Sequence, residues 1–213
     1  MTKAKTMAMT SPQAKVPELT ALILAGGRSR RLDGRNKALL CTGGVTLLDR
    51  LTAELAPRAS RILVSVAEPA AWTTHPTVID PEPGLGPLAG IGAGLAQSPG
   101  WLLAVAVDMP HLGGAVLDLL LGRVASRGAH AASEVDVVAF RLGGRLEPLV
   151  ALWGPRCLPV VRRRLAARQL KVAAALQDPE LRGCWIEEDE VRAVDPTLRA
   201  FANVNDEAAA AAL

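Results

Sequence analysis

The run WLLAVAV at positions 101–107 constrains this chain more than any other stretch. It holds seven apolar residues in a row with no polar alternation, which describes a strand buried on both faces. The run is far short of the ~20 residues that span a bilayer, and no other apolar run approaches that length. A strand buried on both faces needs helices above and below it. Asp108 ends the run abruptly, so a carboxylate stands where a buried strand surfaces.

Other segments fit the same scheme. TALIL (20–24) and RILVSV (61–66) read as buried strands, and TVI (77–79) as a short one. VVAFR, near 135–141, and 149–153 read as two more, and 184–187 as a last short one. Between them, residues 46–55 place Leu47, Leu48, Leu51 and Leu55 on one helical side. Pro87 suits a helix first turn and opens a segment reaching Gln97. Residues 115–127 and 155–168 read as further helices, the latter with Arg162, Arg163, Arg164 and Arg168 largely on its wet side. An alanine-rich helix is expected from Asp206 onward. Alternating strands and helices predict an α/β, Rossmann-like three-layer sandwich with a mostly parallel central sheet. With 213 residues and 50% hydrophobic content, one core suffices. Residues 1–19 read as a flexible tail and 20–213 as a single domain.

Several function classes drop out. The net charge is +3, of which the first nineteen residues carry +2, leaving a nearly neutral body. That argues against nucleic acid as a partner. Two Phe, four Trp and no Tyr are too few for a base-stacking platform. The N-terminus lacks the apolar middle of a signal peptide, and no membrane segment is visible. Cys41, Cys157 and Cys184 are odd in number and far apart, with no CxxC, so a reducing, cytoplasmic setting is expected.

In open α/β sheets ligands sit beyond the carboxyl ends of the strands, which selects three loops. The first is LAGGRSRRLDGRNK (24–37). Gly26 and Gly27 allow the backbone to approach phosphate oxygens, and Arg31 and Lys37 supply positive charge. It is neither a GxxxxGK[ST] nor a GxGxxG loop; an ordinary strand-to-helix turn with solvated arginines is the alternative. The second is DPEPGLGPLAG (80–90), a stiff entry into a helix N-terminus that favours an anionic ligand. Asp80 there either accepts hydrogen bonds from a base or sugar, or caps the turn. The third is VDMP (107–110), where Asp108 suits Mg²⁺ held with phosphates, or caps the turn before Pro110. A basic loop, a rigid glycine loop and a metal carboxylate in one cleft describe a nucleoside triphosphate site without a P-loop.

These segments resemble the MobA-type molybdenum cofactor guanylyltransferases, within the nucleotide-sugar-pyrophosphorylase-like nucleotidyltransferases. The resemblance rests on LAGGRSRRLDGRNKALL, VIDPEPGLGPLAGIGAGL, VDMPHL, EPLVALW and FANVND, in that order. It implies a domain that joins GTP to molybdopterin, releases pyrophosphate and requires Mg²⁺. By the same resemblance, Leu24, Ala25, Gly26 and Gly27 cradle the nucleotide, and Lys37 and Arg31 meet its phosphates. Asp80, Gly86, Pro87 and Leu88 hold the guanosine. Asp108 binds Mg²⁺ and also belongs to the nucleotide site, and Asn203 and Asn205 fall where the family contacts the pterin substrate or the reacting phosphates, with an Asn capping the last helix as the alternative. Molybdoenzyme maturation proteins are the further partners it suggests. The chain departs from the family's usual Arg-Met-Gly and Asp-Lys pairings, with Arg31-Leu32-Asp33 and Asn36-Lys37. One carboxylate is thereby gained and one lost in the first loop.

The implied nucleophile is a phosphate already ionised at pH 7, so no general base is required. His75, His111 and His130 are scattered and read as structural or exposed. Two neighbouring readings stay open: a cytidylyltransferase for the same pterin, and a guanylyltransferase for another phosphorylated metabolite. A non-catalytic nucleotide-binding module is the reading of a different class.

Overall fold

The computed structural model describes residues 16, 18–26, 36–79, 84–125 and 134–203. Its strands are β1 (Thr20–Leu24), β2 (Cys41–Thr42), β3 (Val45–Thr46), β4 (Arg61–Val66), β5 (Thr77–Ile79), β6 (Leu102–Ala106), β7 (Val137–Leu142), β8 (Arg145–Trp153) and β9 (Gly183–Glu187). Its helices are α1 (Leu47–Leu55), α2 (Pro87–Gln97), α3 (Gly114–Ala125), α4 (Cys157–Ala166), α5 (Val172–Leu176) and α6 (Glu188–Arg192). Single 3₁₀ turns cover Lys37–Leu39 and Arg199–Phe201.

Strands β2 and β3 form a separate small hairpin; the other seven make one sheet, ordered β5-β4-β1-β6-β8-β7-β9. Only β8 runs against its neighbours. The sheet is therefore mostly parallel, as expected. Side chains alternate along each strand and fill two cores. On one face, Ala21, Ile23, Leu103 and Val105 pack with α1, α3 and α6. On the other, Leu22, Leu24, Leu102 and Ala104 pack with α2, α4 and α5. The α1 stripe is the one legible in the sequence, since Leu47, Leu48, Leu51 and Leu55 are all buried. Each such leucine contributes about 1.5–3 kcal/mol.

From β1 the chain goes to β4 on one side, and through α2 it returns to β6 on the other. The carboxyl ends of β1 and β6 are thus the switch point of the sheet. Leu24 stands in register with Ala106, and the Val107 amide donates to the Leu24 carbonyl at 3.2 Å.

Several elements differ from expectation. Val16 and Leu19 are buried, so the domain's packing begins before Thr20; residues 1–15 and 17 lie outside the described residues. Strand β8 is longer than 149–153 and forms a hairpin with β7 through Gly143 and Gly144, whose φ values are +54° and +75°. Two consecutive positive φ angles match the twist of flanking strands. The acidic run at 187–190 becomes the first turn of α6, closed by a capping box between Glu187 and Glu190. On α4, Arg163 and Arg164 are not merely solvated: both bind the buried carboxylate of Asp178, at 2.9 and 3.0 Å. The helix expected after Asp206 lies outside the described residues. Among the described residues no helix is long and apolar enough to cross a membrane.

Candidate active site

Two side chains 71 residues apart meet at the switch point. Lys37 Nζ donates to Asp108 Oδ2 at 3.1 Å. The sequence reaches this contact by two local routes. Asp108 stands two residues past the end of β6, and Met109 and Pro110 behind it are buried, which holds the exit. Lys37 opens a 3₁₀ turn whose N-cap is Asn36; the Asn36 side chain accepts from the Ala38 amide at 3.0 Å. Ala38 is fully buried, and the Leu40 carbonyl accepts from the Leu47 amide at 2.9 Å, tying the turn to α1. Asn36 is therefore more than a missing charge: it is the cap that places Lys37, a role Asn and Asp fill equally. Lys37 and Asp108 are 24% and 23% exposed, open to a ligand but partly desolvated.

The glycine loop after β1 lies beside them. Ala25 donates to the Ser65 carbonyl at 3.1 Å, holding the exit of β1 to β4. A methyl at Gly26 would meet backbone of residues 65–67 at an ordinary 3.6 Å. Packing thus leaves room for a side chain there.

Helix α2 follows the second loop. Gly86, its N-cap, has φ +70° and ψ −165°, which L side chains rarely adopt, and Pro87 follows at the first turn. Among the described residues no side chain caps this end; Pro87 has no amide hydrogen and the Ala89 amide donates to the Gly86 carbonyl at 3.1 Å, which leaves the Leu88 amide of the first turn for an outside acceptor. The helix packs close to the sheet because Gly90 is bare. A Cβ there would lie 2.3 Å from Ser65 Oγ and 3.2 Å from Leu24 Cδ2. This brings Leu88, fully buried, and its neighbours to the exits of β1 and β4.

Of the residues singled out in the sequence, Leu24, Ala25, Gly26, Lys37, Gly86, Pro87, Leu88 and Asp108 thus lie at the carboxyl end of the sheet or on α2 against it. Asn203 is exposed at the end of the described chain and forms no hydrogen bond with Lys37 or Asp108. Gly27, Arg31, Asp80 and Asn205 lie outside the described residues.

Two of the three histidines are among the described residues. His75 Nε2 is 3.3 Å from Thr52 Oγ1 on α1. His111 follows Asp108 by three residues; burial, and then Arg199 and Arg50, push its pKa down. His130 lies outside the described residues. The cysteines form no disulfide, and burial pushes the Cys157 thiol up to about 12, which leaves it inert.

Among the described residues no group of three or more His, Cys, Asp or Glu side chains could hold a metal. One carboxylate completed by phosphate oxygens and water is, however, a donor set typical of Mg²⁺, and Asp108 fits it. One carboxylate at this end of the sheet had no assigned role in the sequence reading. Glu147 of the EPL segment is half-buried, and burial pushes its pKa up. Its sequence signals were its place at the head of the EPLVALW segment and the Pro148 beside it, an unusual residue for a strand.

Residues 21–181 match the MobA-like NTP transferase domain. The chain is 32% identical over 190 residues to a molybdenum cofactor guanylyltransferase from Desulfosudis oleivorans, covering 88% of this chain and 90% of that one. It is 36% identical over 154 residues to another from Sinorhizobium fredii, covering 68% and 66%. Among solved structures it resembles molybdopterin-guanine dinucleotide biosynthesis protein A from Archaeoglobus fulgidus. The TM-score is 0.72 at 21% identity, over 90% of this chain and 94% of that one. It also resembles a 2-C-methyl-D-erythritol 4-phosphate cytidylyltransferase from Thermus thermophilus, with a TM-score of 0.56 at 20% identity, over 80% and 88%.

Proposed function

This chain belongs to the MobA-like NTP transferase family, and on that premise we propose that it transfers GMP from GTP to the terminal phosphate of molybdopterin. The single observation that carries the site assignment is the Lys37–Asp108 contact at the switch point of the sheet. A triphosphate there meets a lysine, an uncapped helix N-terminus and a bare glycine loop. Among the described residues no packing contact demands that Gly26 be bare, which suits a backbone reserved for ligand approach.

In this reaction an acceptor phosphate oxygen attacks the α-phosphorus of GTP. The bond from that phosphorus to the bridging oxygen breaks, and its electron pair leaves on pyrophosphate. The nucleophile is ionised at neutral pH, so the protein supplies positioning and charge rather than a base. Lys37 neutralises the phosphates where charge develops. Asp108 would hold Mg²⁺, which supplies Lewis-acid polarisation and a template for the phosphates. Binding of nucleotide exchanges the Lys37–Asp108 pair for contacts of each group with substrate or metal. Leu24, Ala25, Gly26 and Gly27 are assigned to the nucleotide, with Arg31 assigned to its phosphates. Asp80, Gly86, Pro87 and Leu88 are assigned to guanosine. Asn203 and Asn205 are assigned to the pterin side.

The fold does not select the base, because a cytidylyltransferase shares it. The test is therefore a competition: protein, Mg²⁺, carrier-bound molybdopterin, and GTP and CTP at equal concentration, with products read by mass spectrometry. A GMP-linked pterin is expected. A CMP-linked pterin would move the protein to the sister activity. Nucleotide binding with no linked product would make it a binding module or a transferase for another phosphate.

A further inference from the structure

Glu147 sits at an opening in the sheet. Strand β8 lies between β6 and β7, yet the ladder breaks beside Glu147. Towards β7, Ala139 pairs with Ala151 and Arg141 pairs with Leu146, so Phe140 alone faces residues 147–150. Towards β6, pairing stops at Val105 and Val150. Residues 147–149 therefore pair with neither neighbour. Pro148, which has no amide hydrogen to give a ladder, is tolerated inside the sheet only because the strand bulges there. The β6–β8 pairing runs from Leu102 opposite Trp153 to Val105 opposite Val150, so the bulge adjoins the carboxyl end of β6. The bulge is thus at the same end of the sheet as the phosphate site, one strand further from β1.

The Glu147 carboxyl is half-buried and has no hydrogen-bond or ion-pair partner among the described residues. Arginines are close in sequence, but Arg141 pairs with Glu187 at 3.0 Å across β7 and β9. Burial raises the Glu147 pKa, consistent with a carboxyl that lacks a cation. The part of the carboxyl that stays open to solvent is available to receive donors from a ligand.

The layout says which ligand. The glycine loop of β1 and the entry of α2 stand on the β1–β4 side of Asp108, where nucleotide binds. In-line displacement brings the acceptor from the opposite side, over β8, β7 and β9. We propose that Glu147 is an acceptor-binding residue whose carboxylate receives two parallel N–H donors from the pterin ring; this rests on the molybdopterin reading above. A 2-amino-4-oxopyrimidine edge presents such a pair, and a carboxylate matches it with two oxygens. A site built to accept a substrate N–H rejects the analogue lacking it strongly, because the acceptor is then left unpaired. Glu147 thereby selects the ring, while Lys37 and Asp108 act on phosphates.

The experiment compares wild type with Glu147→Gln, which keeps the shape but gives up one acceptor. Binding of 2-amino-4-oxopteridine and of its 2,4-dioxo analogue is measured by fluorescence, alongside GMP transfer to molybdopterin. Wild type is expected to prefer the amino compound about 10-fold or more, and Glu147→Gln to lose that preference. Its KM for molybdopterin should rise by a similar factor, with the KM for GTP, the Mg²⁺ dependence and the melting temperature unchanged. If Glu147→Gln melts early, Glu147→Asp, which keeps the charge, should retain part of the preference. Transfer by wild type without any preference between the two rings, or a Glu147→Gln defect in GTP or Mg²⁺ dependence, would overturn the assignment of Glu147 alone. No transfer to molybdopterin by wild type would overturn the underlying reading and the inference with it.

Discussion

Lys37 and Asp108 are each about one quarter exposed, and that fraction separates their part in transfer from their part in folding. A partly exposed ion pair is worth at most about 1 kcal/mol to stability. Facing a triphosphate, the same groups act where charge develops, and one such interaction is worth about 10²–10³-fold in rate. Asp108→Ala and Lys37→Ala are therefore expected to lose about 100-fold or more of kcat/KM while melting close to wild type. Steady-state kinetics beside thermal melts checks both, and normal turnover by folded Asp108→Ala would remove the metal assignment. Asn36 gives a second test. Asn36→Asp keeps the cap on the Ala38 amide and should be nearly neutral to stability, whereas Asn36→Ala should cost about 0.5–2 kcal/mol and weaken transfer by loosening Lys37. Lys37 and Asp108 were legible in the sequence because each follows a recognisable local signal, a basic glycine loop and a buried strand. Their contact across 71 residues was not, since it depends on the order of strands in the sheet.

Helix α2 shows how closely an element can be set by what its side chains lack. At Gly90 a methyl would overlap Ser65 Oγ, and Ser65 is itself buried. Gly90→Ala should destabilise by about 1–3 kcal/mol despite the better helix propensity of alanine. Ser65→Gly in the same chain should restore part of the loss; denaturant midpoints of the two variants test this. The start of α2 was readable from Pro87, and α1 from four leucines at helical spacing. Helices α5 and α6 were not, because five residues give too little periodicity to read. The long β8 was half-read for a related reason: Pro148 interrupts the strand pattern, and the bulge that accommodates it is a product of tertiary packing. The α4 arginines looked solvated in sequence because their partner, Asp178, comes from a separate segment after α5.

At the scale of the whole molecule, the two helical layers flank a sheet whose β7–β9 half is fastened by buried carboxylates. Burial alone would raise the pKa of Asp136, but its bonds to the Arg182 side chain and backbone, with Arg156 nearby, hold it below its ordinary 3.8. Burial likewise opposes, and Arg163 and Arg164 with the Glu180 amide outweigh it, at Asp178. A folded pKa below the unfolded one adds stability that is complete above about pH 3.8 and is lost as pH falls through the folded values. Melting temperature should therefore drop steeply below pH 4, and the paired Asp136→Asn and Asp178→Asn variant should be less stable at pH 7 with a shallower acid slope. The switch point lies at one end of this frame. In the proposed transfer an acceptor phosphate attacks the α-phosphorus of GTP at that end. The most direct test incubates the protein, Mg²⁺ and molybdopterin with GTP carrying ³²P at either the α or the γ position. Label from the α position should appear on the pterin and label from the γ position in pyrophosphate, both abolished by Asp108→Ala. Label from the γ position on the pterin, or orthophosphate in place of pyrophosphate, would contradict it.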